Sequence, residues 1–271
     1  MTIVSAIRTG HDGRVLDADT CAAFRTSGFV VLRDQIDATA LSHEVDRTFA
    51  DGLRADAGDN TGSAGIGFRY VPMMCERTPV SLALVDALAA PAAELLGRRA
   101  LPVRAKATRY FGGSDWHRDC ELDVASVGLV AYLEPLTADS GALRVQPGSH
   151  ADPTAPVATG AGTALATQPG DLIAFDEHLV HGSDGGHDRR QWRVDFVADP
   201  EDAAEADRLR TYFSLIYPVD WDGGYDVDRF PSYGRYWMRA NRPWTERLRA
   251  LGVYGYADAQ EHAVRMARSA R

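Results

Sequence analysis

Lysine is almost missing from this 271-residue chain: of 29 basic residues one is lysine, Lys106, and the other 28 are arginine. A GC-rich coding bias replaces lysine throughout, and its survival at one place hints that an ammonium is needed there, since the two cations differ in geometry and pKa. Cysteine is scarce as well. Cys21, Cys75 and Cys120 show no C-x-x-C spacing, which excludes a disulfide framework and a zinc ribbon and fits a reducing compartment. Positive charge does not predominate: the formal net charge is −9, which argues against a nucleic-acid partner held by phosphate contacts. Long apolar runs are also lacking. The start, "MTIVSAIRTGHDGR", has no signal-peptide core, and no window reaches the roughly 18 apolar residues of a spanning helix. A cytoplasmic protein without nucleic-acid or membrane partners is expected.

Hydrophobic residues at 45% and charged residues at 25% are ordinary globular values, and the length suits one domain over 1–271. Residues 18–100 read as a mostly helical layer. Asp19 or Thr20 can cap a first helix that Gly28 ends, "FVVL" is a short strand, and Ala38–Leu53 recovers helical spacing. "GDNTGSAGIG" at 58–67 is too glycine-rich for regular structure. "TPVSLALVDALAAPAAELLG" is a helix broken or kinked at Pro91. From Leu101 the period becomes two: Val103, Ala105 and Ala107 share one face of a strand, and Arg104, Lys106, Thr108 and Tyr110 the other. "VGLVAYLEPL", "GALRVQPGSH", "DLIAFDEHLVHGS", "QWRVDFVADP" and "TYFSLIYPV" follow as β-rich runs. Helices followed by evenly spaced strands over 101–217 predict a β-sandwich or barrel with helices packed outside. The aromatic-rich segment 218–271 is a hydrophobic wrapper or a lid, with a last helix near Asp258–Ala270.

"DWHRDCELD" places His117 and Asp119 two apart, on one face of a strand. A third ligand has four candidates, His150, His178, His181 and His187. His181 is the most attractive, because it lies just past a strand with a Gly-Ser turn behind it. Two imidazoles and one carboxylate that leave coordination positions open are the set used by non-haem Fe(II) oxygenases. His178 reads as structural or at a pocket rim, His150 as a turn residue, His187 as part of a polar turn, and Cys120 as packing.

"WHRD", "SGALRVQPGSH", "GDLIAFDEHLVHGS", "RRQWRVDF" and the earlier "FRTSGFVVLRDQID" occur in an order that resembles the phytanoyl-CoA dioxygenase-like branch of the Fe(II)/2-oxoglutarate-dependent oxygenases, over roughly residues 18–217. The resemblance implies a mainly β, double-stranded β-helix (jelly roll, cupin-like) core with flanking helices. It implies His117, Asp119 and His181 as iron ligands, with 2-oxoglutarate and O2 as cosubstrates. It further implies an arginine about ten residues past the second histidine that grips the distal carboxylate of 2-oxoglutarate. Arg193 and Arg190 are the candidates, and Arg193 is preferred because "WRVDF" is strand-like. Ser183 matches a hydroxyl that shares that carboxylate, and Thr108 and Lys106 match positions lining the cosubstrate and substrate pocket. Arg104, Tyr110, Trp116 and Tyr132 are candidates for the substrate pocket. Related halogenases carry a small residue where Asp119 stands, so the carboxylate argues for oxidation without halide.

The activity implied is hydroxylation, or another C–H oxidation, of a small metabolite, in natural-product biosynthesis, with release of succinate and CO2. Two other readings compete: a non-redox cupin-like metal hydrolase or isomerase, and a catalytically inactive small-molecule-binding relative.

Overall fold

The computed structural model describes residues 15–55, 60–61, 67–160, 162–185, 188–216, 224–232 and 243–253. In chain order the elements are α1 (Ala18–Ser27), β1 (Phe29–Leu32), α2 (Ala38–Gly52), β2 (Asn60–Thr61), β3 (Gly67–Pro72), α3 (Pro79–Leu96), β4 (Ala100–Tyr110), β5 (Ser114–His117), β6 (Ser126–Tyr132), β7 (Arg144–Val145), β8 (Thr163–Ala164), β9 (Leu172–Asp176), β10 (His181–Ser183), β11 (Arg189–Ala198), α4 (Ala203–Ile216) and α5 (Pro243–Ala250). A seven-stranded sheet runs β1-β9-β6-β11-β4-β3-β2, and a four-stranded sheet runs β5-β10-β7-β8. Every pairing is antiparallel. The two sheets form the jelly-roll core that the sequence implies.

Alternation along β4 and β11 decides what faces the interior. On the outer side Val103, Ala105, Ala107, Trp192, Val194 and Phe196 are fully buried where α3 packs on β4 and β11. Trp192 Nε1 donates to Ser81 Oγ of α3 at 2.8 Å, which in turn donates to the Met73 carbonyl at 2.7 Å. The opposite face of the same strands, with Lys106 beside Arg193 and Thr108 beside Gln191, therefore points into the barrel. Glu44 of α2, 2% exposed, accepts from the N–H groups of Val80 and Ser81 and so caps α3.

Four expectations change. The first helix is capped by Asp17, whose carboxylate accepts from Thr20 N, rather than by Asp19 or Thr20. Pro91 does not break α3, which continues to Leu96 with Pro91 buried. α3 is also apolar and long enough to cross a membrane by length and composition alone, against the reading that no such window exists, and here its apolar residues cover β4. "TYFSLI" is the end of α4 and not a strand: Ala206, Leu209, Tyr212 and Phe213 bury one helical stripe, and a short aromatic run cannot by itself tell a strand from a buried helix. In the C-terminal segment Tyr225 and Phe230 are core residues, as a wrapper requires. Trp221, Tyr233, Tyr236, Trp237 and the expected helix at Asp258–Ala270 lie outside the described residues, as does most of the 58–67 loop.

Gly28 ends α1 at φ +82°, and a Cβ there meets His150 Nδ1 at 2.5 Å and Leu179 at 2.8 Å. Left-handed strain and overpacking act together. Gly28→Ala is expected to lower stability by about 2 kcal/mol or more, measured by urea unfolding; a loss within experimental scatter refutes this packing.

Candidate metal centre

β5 and β10 are neighbours in the small sheet, with His117 opposite His181 and the ring centroids 4.3 Å apart. Asp119 is not on the strand, as its spacing suggested, but in the bend after β5. What holds it there is the turn between β9 and β10. The Glu177 carbonyl accepts from the N–H groups of Asp119 and Cys120 at 3.0 and 3.1 Å. His178 adds to the hold: Nδ1 meets Asp176 at 2.9 Å and Nε2 meets the Leu122 carbonyl at 2.7 Å. The Asp176 carboxylate, then Cys120, raise its pKa to about 11, so it is a charged structural clamp. His150 binds the Arg25 carbonyl through Nε2 at 3.1 Å, as a turn residue, and His187 lies outside the described residues.

Asp119 Oδ1 is 3.6 Å from His117 Nε2, and Oδ2 is 3.4 Å from His181 Nε2. One donor atom from each of the three residues lies within 4.8 Å of the others. His117 Nδ1 meets the Asp115 carbonyl at 2.7 Å and His181 Nδ1 the Leu179 carbonyl at 2.9 Å. Each carbonyl accepts the Nδ1 proton and leaves the Nε2 lone pair for a metal. Burial, helped by the His117 ring and opposed by Asp119, pushes His181 down to about 4. It is therefore neutral at ordinary pH, the form that ligates. Loss of water works against ionising Asp119, but Arg193, His181 and His117 outweigh it and hold its carboxyl well below the usual range. Two imidazoles and a carboxylate with 22% of its side chain exposed fit Fe(II) with positions left for 2-oxoglutarate and O2.

Arg193 is inside the site, but its guanidinium is taken. NH1 donates to Asp119 Oδ2 at 2.5 Å, NH2 to Glu177 Oε1 at 2.6 Å, and Nε to Asp195. Glu177 Oε2 accepts from the Tyr212 hydroxyl at 2.6 Å, and burial together with Asp195 pushes the Glu177 carboxyl up to about 7. Arg190 points outward, to Glu134, Asp46 and Ser42. Neither expected arginine is therefore open to a carboxylate.

Arg189 is. It is 3% exposed and lines the same cavity as the three ligands, with Tyr110, Tyr132, Ser183 and Gln191. Its guanidinium donates to the Gly112 carbonyl at 2.6 Å, to the Gly141 carbonyl and to Ser183 Oγ at 3.1 Å, while Nε has no partner. Among the described residues no carboxylate pairs with it. Alternation was the missed signal: Arg189, Gln191, Arg193 and Asp195 share the inward face of β11, and Arg190 the other.

Ser183, Tyr110 and Tyr132 line the cavity wall. Thr108, Lys106 and Arg104 face the interior but do not line this cavity. Trp116 does not line it either: it neighbours His117 in β5 and packs outward on Gly162, where an added Cβ meets its ring at 2.3 Å.

A family model described as phytanoyl-CoA dioxygenase (PhyH) matches residues 24–191. No curated protein matches the chain. Among solved structures the chain is similar to the non-heme alpha-ketoglutarate-dependent epimerase SnoN from nogalamycin biosynthesis, at 16% identity and TM-score 0.56, over 67% of this chain and 82% of that one. It is also similar to EctD from S. alaskensis, solved with 2-oxoglutarate and 5-hydroxyectoine, at 23% identity and TM-score 0.56, over 73% and 81%. A third is AviO1 from Streptomyces viridochromogenes Tue57, at 21% identity and TM-score 0.55, over 69% and 96%. At these identities the likeness establishes the fold.

Removing the Arg193 partner leaves Asp119, Glu177 and Asp195 to repel one another. Arg193→Met is expected to weaken Fe(II) binding about 10- to 100-fold, as loss of a ligand's outer partner does, and to cost about 3–5 kcal/mol in urea unfolding. Unchanged Fe(II) affinity in a folded variant refutes the positioning role.

Proposed function

Since the chain belongs to the phytanoyl-CoA dioxygenase family, we propose that it is an Fe(II)/2-oxoglutarate-dependent oxygenase that hydroxylates or otherwise oxidises a C–H bond of a small metabolite, in natural-product biosynthesis. One observation carries the reading: Arg189, a guanidinium with no counter-anion among the described residues, stands in the same cavity as the His117–Asp119–His181 donor set. A buried cation without a carboxylate is costly, and a dicarboxylate that reaches from the metal to Arg189 removes that cost.

His117, Asp119 and His181 hold the iron. Arg189 grips the distal carboxylate of 2-oxoglutarate and Ser183 shares it, the role first assigned to Arg193. Tyr110 and Tyr132, with Val130, Leu143 and Phe175 behind them, exclude water from its carbon chain. Iron with 2-oxoglutarate and O2 supplies the oxidising power, with succinate and CO2 as coproducts, and the protein supplies position. Arg193 keeps Asp119 ionised and aimed. A non-redox hydrolase or isomerase needs no carboxylate clamp, and an inactive relative needs no intact ligand set, so the observed residues favour the oxygenase. SnoN, an epimerase, and EctD, holding a hydroxylated compound, share the fold, so the outcome is set by where the substrate carbon lies.

Anaerobic addition of Fe(II) and 2-oxoglutarate is expected to give a visible charge-transfer band. Arg189→Met raises the 2-oxoglutarate concentration needed for it by about 10- to 100-fold, the effect of losing charge-assisted hydrogen bonds of about 1.5–3 kcal/mol. No band with the wild-type protein overturns the oxygenase reading; an unshifted midpoint in Arg189→Met overturns the clamp.

A further inference from the structure

β4 is not an edge strand: β11 lies on one side of it and β3 on the other. Its polar face therefore cannot be a solvated border. Pairing with β11 sets the levels along that face. Tyr110 lies beside Arg189, Lys106 beside Arg193, and Arg104 beside Asp195. Arg193 touches the metal ligand Asp119, so the metal stands near the middle level and the 2-oxoglutarate clamp at the first. Arg104 lies beyond the metal from that clamp, six residues or about 20 Å of strand from Tyr110.

Lys106 Nζ lies 5.6 Å, and Arg104 Cζ 5.8 Å, from the centroid of the same Tyr70 ring, on β3 opposite Thr108. Arg104 has Asp195 at 3.7 Å. The Lys106 ammonium, in contrast, has no hydrogen bond or ion pair with any described residue, because the three nearby carboxylates, Asp119, Glu177 and Asp195, are all held by Arg193. Thr108, 1% exposed, presents a hydroxyl on the same face that has no hydrogen-bond partner among the described residues. Burial, then Arg104 and Arg193, push Lys106 down to about 7. These are the marks of a cationic cradle whose anion comes from outside the chain.

We propose that the substrate carries an oxyanion, a carboxylate or a phosphate, which Lys106 and Arg104 bind on the inward face of β4 with the Thr108 hydroxyl alongside. This rests on the oxygenase reading of the neighbouring centre and names the class of its substrate. Anchored there, the substrate's oxyanion stays apart from the clamp that holds the cosubstrate, and the rest of the molecule is left to reach the metal. Neutral metabolites leave the lysine uncompensated and are discriminated against.

Because Lys106 is the one lysine in the chain, protein grown on [ε-13C]lysine gives one lysine side-chain NMR signal. The probe is inorganic phosphate, then acetate, added to Zn(II)-loaded protein saturated with 2-oxoglutarate. A saturable shift with either anion is expected, and Arg104→Gln raises its midpoint about tenfold, equivalent to about 1.4 kcal/mol. Two results overturn the proposal: no shift with either anion, or a shift produced by 2-oxoglutarate alone to which phosphate and acetate add nothing, which assigns the amine to the cosubstrate. The Fe(II)–2-oxoglutarate band of the same preparation separates the two readings. A band without an anion response removes only the substrate class, and an anion response without a band removes only the oxygenase.

Discussion

A buried guanidinium meets three carboxylates at the centre of this molecule, and most of the site follows from that meeting. Arg193 joins Asp119 from the bend after β5, Glu177 from the β9–β10 turn and Asp195 from its own strand, so pieces far apart in sequence share one charge. Burying such a group is unfavourable unless every partner is present. Tyr212 extends the same network to α4 by donating to Glu177, which ties a surface helix to the aim of a metal ligand. Excess negative charge is relieved locally, since burial and Asp195 raise the Glu177 carboxyl toward neutrality.

The two arginines of the cavity divide the work by their partners. Arg193 is saturated with carboxylates and acts inward, on the protein. Arg189 has two carbonyls and a hydroxyl around it and no carboxylate among the described residues. Both stand on one face of β11, and the apolar opposite face under α3 fixes that orientation. A hydrophobic constraint thus decides which charged groups reach the chemistry.

Much of this was legible in the chain. His117, Asp119 and His181 are close in pairs or follow a recognisable strand, and period-two alternation put Lys106, Thr108 and Tyr110 on one face of a strand, which the structure turns inward. What stayed hidden depended on distant partners. Asp119 owes its place to the Glu177 carbonyl and not to strand alternation, and nothing local records that bond. The sequence set Arg193 against Arg190 and favoured it for its strand-like surroundings, whereas Arg189 and Arg193 both face inward and only the distribution of carboxylates separates them. Trp116 was drawn to the site by adjacency, although a strand sends neighbours to opposite faces. The "TYFSLI" run was misjudged, and α3 runs unbroken through Pro91, because packing against the core overrides local propensity.

The pairing of β5 with β10 carries one more consequence. His117 and His181 face each other across strands whose sequence positions differ by 64 residues, and the loop between them includes two strands of the other sheet. Closing such a contact costs the entropy of ordering the intervening chain. An emerging polypeptide therefore offers iron no finished pocket, and loading waits for the barrel to close. Once captured, the ion reinforces the very topology that created its seat.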